Sequence, residues 1–102
     1  FLTSWVSADV LNPVGAGFLN ASCDKAMFGW PCDEQMEKLR DMFARETDAG
    51  KQKAIAEQVQ LRLVEYPTHV PLGQWKKPQV LRTNIDGNVV APVTVFWNVT
   101  KK

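Results

Sequence analysis

Residues 5–13, with the sequence WVSADVLNP, decide how the first part of the chain folds. They contain an aromatic side chain, Trp5, near the end of an apolar segment at residues 1–6, and a carboxylate, Asp9, shortly after that segment. An apolar run of this length predicts a short interior strand. The Asn12-Pro13 pair predicts a turn, because both residue types favour turn conformations. The sequence therefore predicts a strand that leads, through an aromatic ring and an acid, into a loop.

Residues 92–102, PVTVFWNVTKK, form the second decisive stretch. Alternation along a strand puts Val93, Val95 and Trp97 on one face and Phe96 on the other. Large apolar side chains on both faces are typical of a strand that is covered on both faces. No other part of the sequence is large enough to supply that cover, so we expect the chain to be a piece of a larger structure.

Length and charge limit the class of protein. A chain of 102 residues can form one small domain. With 12 basic and 11 acidic residues and no run of Lys or Arg, it does not favour a nucleic-acid-binding surface. No apolar stretch reaches the roughly 18 residues of a membrane-spanning helix. The start at Phe1, without a signal-peptide pattern, is expected of a processed or truncated chain. The four Trp residues either fill a core or form a ligand-stacking or interface surface.

Cys23 and Cys32, the two cysteines of the chain, lie nine positions apart. Metal-binding pairs are usually closer and occur with further Cys or His ligands, whereas the one histidine here, His69, is far away in sequence. The spacing favours a disulfide that closes a short loop, worth about 2–3 kcal/mol, and hence an oxidising compartment. Two free buried thiols are the alternative. We expect no metal site and no cofactor.

Two helices are predicted in the middle of the chain. The first begins after Asp33, whose carboxylate can cap the first turn, and ends near Glu46. The second runs from a cap at Asp48 to residue 66 and is ended by Pro67. The apolar positions are Met36, Leu39, Met42 and Phe43 in the first helix, and Ile55, Val59, Leu63 and Tyr66 in the second. Leu61 and Val64 widen the apolar stripe of the second helix, which predicts that this helix is buried on more than one side. The predicted wet face of the first helix, meaning its solvent-facing side, consists of Glu37, Lys38, Arg40, Asp41 and Arg45.

Further strands are predicted on the C-terminal side of the helices. They fall at residues 69–75, 80–82, 89–90 and 93–99, with a turn at Asp86-Gly87. The element order is therefore strand, loop, helix, helix, strand and a strand-rich tail. Two strands joined by helices predict a parallel pair with a right-handed crossover. The fold class is α/β.

The sequence does not indicate catalysis. His69 could activate Cys23 or Cys32 as a nucleophile, but nothing in the sequence orients such a pair, and a disulfide would abolish it. Gly15 and Gly17 lack the third glycine and the context of a dinucleotide loop. Their expected use is to let a ligand approach the backbone closely. We expect no catalytic residues and no enzyme activity.

Four motifs occur in order along almost the whole chain. They are Trp5 followed by Asp9 and Pro13; the pair Cys23 and Cys32; ETD at residues 46–48 followed by KQKAI; and HVPL at residues 69–72 followed by IDG at residues 85–87. With the ending FWNVTKK, they resemble the C-terminal region of the periplasmic solute-binding proteins of ABC importers, in the extracellular family 5 class that binds dipeptides, oligopeptides or nickel. The cysteine pair looks like a disulfide found in some dipeptide-binding members.

The resemblance implies that Trp5 and Asp9 are ligand-binding residues. In the relatives the matching aspartate meets the α-amino group of the ligand, which implies a charge-assisted hydrogen bond between Asp9 and a cationic amine. This chain has three residues between Trp5 and Asp9, where the family pattern has two, so the alternation of the strand is shifted by one. The alternative is that Asp9 only caps the turn before Pro13.

The resemblance also implies a fold and a division of the chain. The expected fold is the C-terminal fragment of a two-lobe, type II periplasmic binding protein. Residues 1–75 would belong to the second lobe. Residues 76–102 would form the hinge crossing and the strands that return to the first lobe. In isolation the tail would then lack its cover, and exchange of the tail between two copies is one expected consequence.

The implied function is the capture of a peptide, or a similar amine-bearing small solute, in the periplasm. The cargo would pass to the membrane permease of an ABC transporter, with no nucleic-acid partner. Because the other wall of the site would lie in the first lobe, we expect negligible affinity for the solute in these 102 residues alone. The alternative function is a small stand-alone interaction module that uses an exposed Trp-rich strand edge.

Overall fold

Two consecutive helices form the centre of the structure, a computed structural model that describes residues 2–102. Helix α1 comprises Glu34–Arg45 and helix α2 comprises Ala49–Glu65, and the two pack against each other. The Asp33 side chain accepts a hydrogen bond from the Gln35 N–H at 3.1 Å, and Asp48 accepts one from the Lys51 N–H at 2.8 Å. Each carboxylate satisfies an N–H group that has no partner within its helix. Both predicted helices and both caps are confirmed.

The N-terminal third packs onto this helix pair. It contains three short 3₁₀ turns, at Ser7–Val10, Gly17–Leu19 and Cys23–Lys25. One small core joins it to the helices, formed by Ala16, Leu19, Ala21, Met36, Leu39 and Val59, with Val10, Phe18 and Leu63 packed against it. The N-terminal turns are therefore held in place by the helices rather than by strand pairing.

Helix α2 is buried on one side only. Ile55 and Val59 are buried, whereas Leu61 is 67% exposed and Val64 is 82% exposed. The prediction of burial on more than one side is wrong for the residues described, because α1 and the N-terminal turns cover a single face of α2. Two further apolar positions on the predicted faces, Met42 and Tyr66, are also exposed.

The predicted strands are largely wrong. The ladder formed within residues 2–102 joins strand β1, Ile85–Asp86, to strand β2, Thr100–Lys101, in antiparallel register. Residues 2–6, 69–75, 80–82, 89–90 and 93–99 contain no strand, and Phe1 lies outside the described residues. The predicted parallel pair is likewise not formed. A strand exists only through its neighbour, and these segments find none among the residues described.

The tail therefore remains open. Phe96 is 72% exposed and Trp97 is 91% exposed, so the prediction that this chain does not cover its own tail is confirmed for residues 2–102. The radius of gyration is 18.0 Å, against about 13 Å for a compact chain of 100 residues. The exposed Trp-rich strand edge required by the interaction-module alternative is not formed, because residues 93–99 are not a strand. The division into residues 1–75 and 76–102 stays a prediction.

Gly87 follows β1 at a position that requires glycine. Its φ is +74°, in the left-handed region that side chains disfavour, and a Cβ at this position would collide with the backbone carbonyl of Asn98. The tail thus crosses closely over the β1 turn. Neither α1 nor α2, in the part of the chain described, is long and apolar enough to cross a membrane.

Candidate functional site

Trp5 packs edge-on against Phe18. The two ring centroids lie 6.0 Å apart with an angle of 65° between the ring planes, which is a favourable aromatic arrangement. Trp5 remains 39% exposed, so part of the indole ring is open to a ligand. It is presented from an irregular segment, not from the predicted strand.

Asp9 lies in the first 3₁₀ turn, where its N–H donates to the Val6 carbonyl at 2.9 Å. The alternative that Asp9 caps the turn before Pro13 is wrong. Asn12 caps that loop instead, because its Oδ1 accepts from the Val14 N–H at 3.0 Å and from the Gly15 N–H at 2.8 Å. Asp9 is exposed, and within residues 2–102 its carboxylate has no hydrogen-bond or ion-pair partner. The carboxylate can therefore accept from a ligand.

A groove of about 260 Å³ opens between the N-terminal turns and α2. Its apolar wall includes Val10, Phe18 and Leu63, and its polar groups come from Asn12, Gln60 and His69. Neither predicted site residue lines the groove. Each adjoins a residue that does, because Asp9 precedes Val10 and Trp5 packs on Phe18. Trp5 thus contacts a residue of the groove wall, and Asp9 is the chain neighbour of another.

His69 forms part of the groove wall. Its ring centroid lies 4.3 Å from that of Phe18. The Thr68 hydroxyl donates to the Phe18 carbonyl at 2.8 Å and lies 3.1 Å from His69 Nδ1. Because the single hydroxyl proton points at the carbonyl, Nδ1 must carry the proton of the neutral ring, and Nε2 is left as an acceptor. Partial burial lowers the pKa of His69, since desolvation disfavours the charged imidazolium.

Two side chains from the predicted wet face of α1 hold the loop that precedes the groove. Arg40 Nε donates to the Pro13 carbonyl at 3.0 Å, and its Nη2 donates to the Val14 carbonyl at 3.3 Å. Glu37 accepts from Arg40 Nη1 at 2.6 Å and from the Ala21 N–H at 2.8 Å. The prediction that both side chains face solvent is wrong, because the loop folds over them. The Glu–Arg spacing of three was the available signal, although it does not reveal the carbonyl partners.

A partly buried ion pair joins the start of α1 to the end of α2. Arg62 Nε lies 2.6 Å from Asp33 Oδ2, and Nη2 lies 2.9 Å from Oδ1. This hydrogen bonding by Arg62 lowers the pKa of Asp33, against an opposing effect of burial. The sequence predicted Asp33 as a cap but did not reveal Arg62, because the partners are 29 residues apart.

Cys23 and Cys32 form a disulfide, as predicted. The alternative of two free thiols is therefore wrong, and neither sulfur is a free nucleophile for His69. Among residues 2–102, no three side chains of the His, Cys, Asp or Glu type converge to hold a metal ion. The candidate site therefore consists of an aromatic surface, a carboxylate without a partner among residues 2–102, and an apolar groove. These features suit the binding of a ligand.

Comparison with known proteins found similarity to a transport protein. No protein-family model matches the chain. A curated protein of Sinorhizobium fredii (strain NBRC 101917 / NGR234), named as the probable peptide ABC transporter periplasmic-binding protein y4tO, is 31% identical over 78 residues. The chain is similar to a segment of a peptide-binding transport protein. The match covers 76% of this chain but 15% of that relative. No solved structure matches.

This similarity agrees with the coarser part of the family resemblance. It supports a relation to periplasmic peptide-binding proteins of ABC transporters, which the motifs around Trp5, Asp9 and the cysteine pair predicted. The assignment to the extracellular family 5 class stays a prediction, as do the two-lobe fold and the ligand-binding roles of the two residues.

Proposed function

We propose that this chain is part of the solute-binding component of an ABC importer. It binds a peptide, or a similar amine-bearing small solute, in the periplasm and delivers it to the membrane permease without changing it chemically. The observation that carries the proposal is the 31% identity, over 78 residues, to a protein named as a peptide ABC transporter periplasmic-binding protein. The Cys23–Cys32 disulfide supports an oxidising compartment such as the periplasm.

The site supports the proposal through complementary chemistry. A peptide with a free N-terminus carries a cationic amine and an apolar or mixed body. The unpartnered Asp9 carboxylate suits the amine, and the exposed part of Trp5 suits contact with the body of the ligand. We further propose the α/β, two-lobe fold, with residues 76–102 leading to the other lobe. The exposed segment before β1 and the uncovered tail are consistent with that division.

Calorimetry with a matched pair of ligands tests the proposal. The protein encoded by the complete gene is titrated with trialanine and with N-acetyl-trialanine, which lacks the cationic amine. We expect trialanine to bind and acetylation to weaken binding by about 10- to 100-fold, the value of one charge-assisted hydrogen bond. Absence of binding by a series of free di- to pentapeptides would overturn the proposal.

Two variants assign the effect to Asp9. Asp9→Asn removes the charge and should lower the affinity for trialanine to nearly that for the acetylated peptide. Asp41→Asn is the matched control, because Asp41 is also an exposed aspartate but lies on α1 and does not line the groove, and it should leave both affinities unchanged. Equal losses in the two variants would exclude a specific role for Asp9.

A further inference from the structure

Trp5 is held in place by side-chain packing. Residues 2–6 have no secondary structure and are exposed, so no strand pairing fixes the backbone that carries the indole ring. The ring packs on Phe18 from one direction. It also reaches Gly17, where a Cβ would lie 3.5 Å from Trp5 Cη2. The orientation of Trp5 therefore depends on what else packs at this point.

Met27 packs at the same point. A Cβ on Gly17 would lie 3.4 Å from Met27 Sδ, so the Met27 and Trp5 side chains converge over the same glycine. Gly17 is thus covered by the chain itself, contrary to the expectation that it leaves room for a ligand. The polarizable thioether of methionine makes favourable contacts with aromatic rings. Met27 is therefore placed next to the Trp5 ring, over Gly17.

The position of Met27 depends in turn on the loop that carries it. This loop, residues 23–32, is closed by the Cys23–Cys32 disulfide, and both half-cystines are exposed. Its internal backbone hydrogen bonds run from the Ala26 N–H to the Cys23 carbonyl at 3.0 Å, from the Trp30 N–H to the Met27 carbonyl at 2.8 Å and from the Cys23 N–H to the Pro31 carbonyl at 3.0 Å. No residue of the loop belongs to the buried core. The disulfide, rather than core packing, therefore holds the two ends of this loop together.

We propose that the disulfide-closed loop 23–32 orients Trp5 for its ligand, through Met27. Met27 is a positioning residue, since it acts on the ligand only through the indole ring. The functional part of this inference rests on the proposed role of Trp5 in peptide binding. The coupling between the loop and Trp5 does not require that role, so the two can fail separately.

Hydroxyl-radical footprinting with residue-resolved mass spectrometry tests the coupling in the protein from the complete gene. Because the oxidation rate of each Trp side chain is measured separately and reports the exposure of that side chain, the other Trp residues can stay in place. We expect the Trp5 rate to rise about twofold in Cys23→Ser/Cys32→Ser and in Met27→Ala, because Trp5, which is 39% exposed, would lose packing and become more exposed. Trp75 and Trp97 should keep their rates.

Two further variants distinguish positioning from a general loss of structure. Met27→Leu restores a side chain of similar volume and should return the Trp5 rate to within error of wild type. Met42→Ala is the matched control, because Met42 is an exposed methionine of α1. An unchanged Trp5 rate in both the serine and the Met27→Ala variants would overturn the proposal. So would a parallel rise at the fully buried Met36, because the effect would then be global.

Discussion

Replacing Asp33 by Asn should remove the ion pair with Arg62 and keep the helix cap. Asn keeps an oxygen that can accept from the Gln35 N–H, so the start of α1 stays capped. The charge that pairs with Arg62 is lost, together with the two-point contact between Nε and Oδ2 at 2.6 Å and between Nη2 and Oδ1 at 2.9 Å. The variant therefore measures how strongly this pair fastens α1 to α2.

The burial of the two partners sets the expected magnitude. The Asp33 side chain is 5% exposed, whereas that of Arg62 is 22% exposed and keeps Glu65 as a second partner. Breaking a fully buried pair costs about 3–5 kcal/mol, and an exposed pair is worth at most about 1 kcal/mol. Because solvent screens the guanidinium side, we expect Asp33→Asn to lower the free energy of unfolding by about 2 kcal/mol. Asp33→Ala also removes the cap and should cost about 1 kcal/mol more.

Urea unfolding of the 102-residue chain, followed by far-UV circular dichroism, measures these differences, because α1 and α2 supply the α-helical signal of residues 2–102. Asp41→Asn is the matched control, since Asp41 also pairs with an arginine, Arg45, but on the exposed face of α1. We expect no measurable change in that variant. If Asp33→Asn and Asp41→Asn reduced stability equally, the reasoning from burial would be refuted.

Three further predictions concern the same scaffold. Hydrogen bonding by Arg62 lowers the pKa of Asp33. The stabilisation that the ion pair provides is therefore complete above the ordinary carboxyl range, at about pH 4, and is lost as the pH falls through the lowered pKa. In urea titrations at acid pH, the stability difference between wild type and Asp33→Asn should shrink. Desolvation lowers the pKa of His69, so an NMR titration of this single histidine should give a midpoint below 6.5, with stability falling as the pH drops below 6.5; a midpoint at or above 6.5 would contradict the packing against Phe18. Arg40→Ala removes two hydrogen bonds to the Pro13–Val14 backbone and should cost about 1–2 kcal/mol and raise amide exchange in that loop, whereas Arg45→Ala should do neither.

The helices and their caps could be predicted because their signals are local. Asp33 and Asp48 each sit immediately before an apolar repeat, and each bonds to an N–H within three residues. The disulfide was predictable for a similar reason, since Cys23 and Cys32 close a short loop.

The strands could not be predicted in the same way, because a strand depends on a partner that local sequence does not specify. Residues 93–99 have the alternation of a strand but find no neighbour within residues 2–102, so the pattern alone misleads. The side-chain contacts of Arg62 and Arg40 could not be predicted for a similar reason. Arg62 lies 29 residues from Asp33, and Arg40 lies 27 residues from Pro13, so only the folded chain brings them together.

Recovery of bound ligand tests most directly whether this protein holds peptides without transforming them. The protein from the complete gene is incubated with isotopically labelled trialanine, separated from free peptide, denatured and analysed by mass spectrometry. We expect one intact labelled peptide per protein, with far less retained by Asp9→Asn and wild-type retention by Asp41→Asn. Failure to retain any peptide, or recovery of the label in cleaved or modified products, would contradict the proposed binding function.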